Sequence, residues 1–68
     1  MKRLRYENGE IDTTDEALLS ALVDNARISN AELARIVGLS APSVSERLKR
    51  LEEAGVIENY TININPTA

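Results

Sequence analysis

Residues 42–50, PSVSERLKR, gather the side chains of this sequence best suited to recognition chemistry. At 100° per residue, Val44, Leu48 and Leu51 fall on one side of a helix. Pro42, Ser43, Ser45, Glu46, Lys49, Arg50 and Glu53 fall on the other, with Arg47 on the flank. Serine hydroxyls can meet several base edges, Arg and Lys meet guanine or phosphate, and a glutamate can accept from cytosine N4. A helix with that face fits the major groove of a duplex. If its N-terminal half enters deepest, Ser43, Ser45, Glu46, Arg47, Lys49 and Arg50 are the candidate contacts. A plainer role is open to the same residues. Glu46 with Arg50, and Lys49 with Glu53, stand four apart, as do pairs that merely support an exposed helix by about 0.2–0.5 kcal/mol each.

Other chemistries find little support. The 68 residues include no histidine and no cysteine, which removes the usual bases, thiol nucleophiles, disulfides and Cys/His zinc sites. There is no Gly-rich phosphate loop, and Tyr6 and Tyr60 are the only aromatic residues. Ser40, Ser43 and Ser45 have no base beside them and read as caps and polar surface. Neither a catalytic residue nor a cofactor nor a metal is expected.

Three helices must position the candidate face. Thr13 with Glu16 fits a capping box before Leu18, Leu19 and Leu22, giving a first helix over about 14–25. Val23 lies about 100° from the Leu18/Leu22 side, so it is either exposed or covered by a partner. Ser29 with Glu32 forms a second box, Ile28 and Leu33 stand at hydrophobic-staple positions, and Gly38 supplies a left-handed stop, giving a second helix over 30–37. The free N–H groups near Ser29, Asn30 and Ala31, with Arg27 beside them, offer a phosphate grip.

Ser40 as N-cap, Leu39 and Val44 as staple, and Pro42 in the first turn open a third helix over 41–54. Ala41 precedes a proline and is disfavoured in the helical region, so the first turn should be distorted or the cap shifted by one. At the far end, Gly55 sets Val56 against Leu51 in a Schellman stop. Only Gly38, Leu39 and Ser40 separate the second and third helices, the sequence form of a helix-turn-helix.

After Gly55 the period becomes two. Tyr60, Ile62 and Ile64 alternate with Thr61, Asn63 and Asn65, so a strand is expected over 57–64. It needs a ladder partner, either the N-terminal tail or a second subunit. Residues 1–10, with Lys2, Arg3 and Arg5, read as a flexible tail. The fold class is therefore mainly α, a three-helix, winged-helix-like domain over 11–56 followed by one C-terminal β-strand.

A chain of this length buries about 60% of its unfolded surface, so its core is thin. The net charge of −3 and pI near 4.8 argue against a general polyanion binder. No stretch approaches the roughly 18 apolar residues of a membrane span, and the N-terminus lacks a signal-peptide core. A soluble protein without membrane contact is expected.

Residues 11–66, and above all NARISNAELARIVGLS, SVSERLKRLEEAGVIENY and the closing Asn65-Pro66, resemble the N-terminal domain of the Lrp/AsnC, or feast/famine, regulators of prokaryotes. The resemblance implies a cytoplasmic transcriptional regulator whose third helix reads double-stranded DNA. Ser29, Asn30, Ser40, Pro42, Ser43, Ser45, Glu46, Arg47, Lys49 and Arg50 are then the DNA-facing set. It also implies a homodimer through the 57–64 strand and the N-terminal tail, with Val23, Tyr60, Ile62 and Ile64 at the contact. Residues 57–68 would lead toward an effector-binding, oligomerising domain, so a fragment or truncated relative is expected. Val23 stands where such proteins more usually carry a polar residue. Two other readings remain: a scaffold domain of a similar enzyme of the siroheme decarboxylase type, and a protein-interaction winged domain using Val23, Tyr60 and the strand edge.

Overall fold

The computed structural model describes residues 5–6 and 9–67. Among them lie α1 (Thr13–Asp24), α2 (Asn30–Val37) and α3 (Ala41–Glu53), preceded by β1 (Arg5–Tyr6) and β2 (Gly9–Glu10). Local signals in the sequence account for most of these boundaries. Ser29 accepts from the Glu32 N–H at 3.0 Å, and Gly38 ends α2 at φ 72° and ψ 33°, inside the left-handed region. Leu39 N–H then reaches back to the Ala34 carbonyl at 3.0 Å, closing the stop.

In α3 the Ser40 cap holds without shifting, and Ala41 is the first helical residue. The cap bond is long, 3.3 Å from Ser43 N–H to Ser40 Oγ. Its other end is a Schellman stop: Val56 N–H donates to Leu51 O at 2.9 Å and Gly55 N–H to Glu52 O at 3.1 Å, with Gly55 at φ 81°.

The start of α1 differs from the sequence expectation. The cap is Asp12, not Thr13: its Oδ1 accepts from the Asp15 N–H at 2.8 Å, and the helix begins one residue earlier. A carboxylate caps the positive helix end with a charge-assisted bond, and here it also binds a cation that a threonine hydroxyl would hold less well.

Leu18, Leu33, Ala34, Val44 and Leu48 form one buried cluster shared by all three helices. Leu22, Ile28, Val37 and Ile57 pack around it. Ile28 beside buried Leu33 is the staple expected before α2. Through Leu33, Ala34 and Val37, α2 packs directly against α3. The α2–α3 turn thereby presents α3 as a unit.

The strand expected over 57–64 is not formed in the single chain. Among the described residues the strands are β1 and β2, which pair antiparallel with Arg5 opposite Glu10 and Tyr6 opposite Gly9. These residues lie in the segment expected to be a flexible tail, and they pair with each other, not with 57–64. An extended segment with no ladder partner gains nothing from strand geometry. Instead Ile57 donates to Leu51 O at 3.2 Å, and the Tyr60 hydroxyl donates to Glu52 Oε2 at 2.6 Å, laying the segment along the end of α3. The expectations for Lys2 and Arg3 fall outside the described residues.

Candidate nucleic-acid interface

On α3, Val44 and Leu51 are almost wholly buried and Leu48 nearly so. Pro42, Ser43, Ser45, Glu46, Lys49 and Arg50 are all exposed on the opposite side. Six of the seven residues taken from 42–50 for the recognition set thus share one accessible face. Ser29 and Asn30 are exposed at the start of α2, where Ser29 Oγ is occupied by its cap bond and the first backbone N–H groups point outward from the helix end. Ser40 is exposed and donates to Ser43 Oγ at 2.9 Å, so these two hydroxyls act as a pair. At the outer edge of α2, Arg35 forms an ion pair with Glu32 one turn earlier.

Arg47, the flanking member, is placed differently. Its Nη1 donates to Asp12 Oδ2 at 2.8 Å, Asp12 Oδ1 at 3.0 Å and Asp15 Oδ1 at 3.1 Å. Asp15 is 2% exposed, the one buried charged side chain among the described residues. The guanidinium hydrogen bond holds the Asp12 carboxyl below its ordinary range, helped by the Asp15 N–H, and the same carboxyl raises Arg47 further. One nitrogen therefore ties the first turn of α1 to the second turn of α3.

Reasoning from sequence missed this tie. An acidic residue in the first turn of α1 also complements the positive helix end, and that local role masks the longer-range one of Asp15. The available signal was its spacing: Asp15, Leu18 and Leu22 fall at i, i+3 and i+7, the stripe that faces the core. A carboxylate on that stripe requires a buried partner, and Arg47 on the inner flank of α3 is within reach.

Of the residues expected at a dimer contact, Val23 is 86% exposed, Ile62 70% and Ile64 78%, while Tyr60 is half-exposed and bound to Glu52. An open groove of about 580 Å³ runs between the end of α1, with Leu19, Leu22 and Val23, and the 56–63 segment. Burial, then the Glu52 carboxylate, pushes the Tyr60 phenol up to about 12. Among the described residues no cluster of metal-ligating side chains occurs, and no helix is long and apolar enough to cross a membrane.

Residues 11–58 match a family model described as winged helix-turn-helix DNA-binding. The chain is 48% identical over 59 residues to the leucine-responsive regulatory protein of Rhizobium meliloti, covering 87% of this chain and 38% of that protein. It is 46% identical over 56 residues to the regulator LrpA of Pyrococcus abyssi, covering 82% and 40%. Among solved structures it superposes on the Neisseria meningitidis regulator NMB0573 in complex with L-Met at a TM-score of 0.80 and 38% identity, over 84% of this chain and 37% of that one. Escherichia coli AsnC gives 0.76 and 37%, over 84% and 38%. The chain thus spans about two fifths of the length of these relatives, matching their N-terminal part. Fold, turn geometry and these likenesses agree: the chain belongs to the winged helix-turn-helix DNA-binding family, among the Lrp/AsnC regulators.

Proposed function

We propose that this chain is the sequence-specific, double-stranded-DNA-binding module of a transcriptional regulator, with α3 entering the major groove. One observation carries the reading: Pro42, Ser43, Ser45, Glu46, Lys49 and Arg50 lie exposed together on a helix whose other side is fixed in the core. Ser43, Ser45, Glu46 and Arg50 supply donors and acceptors for base edges, and Lys49 a cation for phosphate or guanine. Pro42 and Ser40 bring the helix start to the duplex, and the N–H groups beside Ser29 and Asn30 hold a backbone phosphate. Overall acidity keeps nonspecific attraction low, so recognition rests on this face.

Two copies of the chain form the working unit. Exposure of Val23, Ile62 and Ile64 around the open groove supports a homodimer in which residues 57–64 become a strand by pairing with the partner or with the N-terminal tail. The two α3 helices would then lie roughly 34 Å apart and favour a pseudo-palindromic site. As relatives of this kind are regulators, the protein acts in the cytoplasm, and the enzyme-scaffold reading is not favoured. Selection from random duplexes tests the proposal: an enriched motif supports it, and recovery of unbiased sequences contradicts it.

A further inference from the structure

We infer that Arg47 is a positioning residue for recognition and makes no contact with DNA: with Asp12 and Asp15 it forms a clamp that fixes the rotation of α3 about its own axis. The inference rests on the DNA-reading role proposed for α3 and adds what holds its face in register.

Three features carry it. First, Arg47 Nη1 is already engaged by three carboxylate oxygens at 2.8–3.1 Å, and reaching a phosphate would strip a cation from the buried Asp15. Second, the side chains that α3 buries in the core are apolar: Val44, Leu48 and Leu51. Apolar burial is non-directional, whereas a charge-assisted bond fixes both distance and angle. Third, Asp12 does two jobs at one point, capping α1 and holding Arg47. The clamp therefore ties α3 to a carboxylate that is itself held on the end of α1. Arg47 sits one helical turn from Ser43 and from Arg50, so a small rotation released at Arg47 would displace the groove-facing set on both sides.

Salt-dependent DNA affinity of the full chain separates this role from direct contact. The variants are Arg47→Gln, Asp12→Asn and Asp15→Asn, each measured on the selected duplex and on a scrambled one, at a temperature where circular dichroism shows them folded. Asp12→Asn serves as the mild variant, since asparagine caps a helix as well as aspartate does. Removing a negative charge should by itself strengthen attraction to DNA. A clamp predicts the opposite: about a tenfold loss of specific affinity in all three variants, a narrowed ratio of selected to scrambled binding, and an unchanged salt slope. Two results would overturn the inference. One is a slope reduced by about one unit in Arg47→Gln with Asp variants binding as well as or better than the parent, which makes Arg47 a phosphate ligand. The other is parent-like affinity and specificity in the folded Asp12→Asn and Asp15→Asn chains. A parent chain with no preference for any duplex would instead refute the proposed function itself.

Discussion

Arg47 Nη1 stands 3.1 Å from Oδ1 of Asp15, a carboxylate buried on the core side of α1, and the pair joins the first helix to the third. Removing Arg47 takes from the buried Asp15 carboxylate a cation that faces it at hydrogen-bond distance. Arg47→Met should therefore lower unfolding stability by about 2–3 kcal/mol, read as a lower urea midpoint. Asp15→Leu combined with Arg47→Met should recover most of that loss, because apolar residues of similar size often replace a buried pair at little cost. A double variant no more stable than Arg47→Met would contradict the assignment of the loss to the missing cation.

Acid should loosen the same point. The folded Asp12 carboxyl lies below its ordinary value of 3.8, chiefly through Arg47, so its contribution is fully present above the unfolded value and is lost as pH falls through the folded one. The stability gap between the parent and Asp12→Asn should stay constant at neutral and mildly acidic pH and shrink below about pH 3.8. Urea midpoints across that range check it, and a gap that closes already near neutrality would count against the clamp.

The turn that presents α3 depends on one backbone conformation. Gly38 holds φ 72°, and a Cβ there would meet nothing within 4 Å, so Gly38→Ala tests strain without a clash. The expected loss is about 1–2 kcal/mol, seen by thermal or urea unfolding. An unchanged midpoint would mean that the turn tolerates another geometry.

Alkaline titration reports on the segment after Gly55. In a Tyr6→Phe background, Tyr60 should ionise near about 12, and Glu52→Gln should bring it part of the way back, leaving the share due to burial. Since the fold favours the neutral phenol, its contribution holds below pH 10 and fades as pH rises from 10 toward 12. Ultraviolet titration giving an ordinary phenol would show that the 57–60 segment does not lie against α3.

Much of this was legible beforehand. Ser29, Gly38, Ser40 and Gly55 act locally through caps and left-handed stops, so α2, α3 and the turn between them follow from neighbours in sequence. Six exposed residues of α3 follow likewise from its period. What stayed hidden depends on distant or absent partners. Asp12 outcompetes Thr13 as cap while also binding a cation 35 positions away. Residues 57–64 alternate like a strand, yet a ladder needs a second strand, and among the described residues none pairs with them.

The most direct test of the central claim is equilibrium binding to the selected duplex by fluorescence anisotropy at two salt concentrations, for the parent, Lys49→Ala and Arg50→Ala. If Lys49 meets phosphate, its loss should weaken all duplexes alike and flatten the salt slope by about one unit. If Arg50 reads a base, its loss should erode discrimination at one position by about 1–3 kcal/mol. Affinity and specificity unchanged in both variants would contradict the account, because the outward side of α3 would then not be the surface that meets DNA.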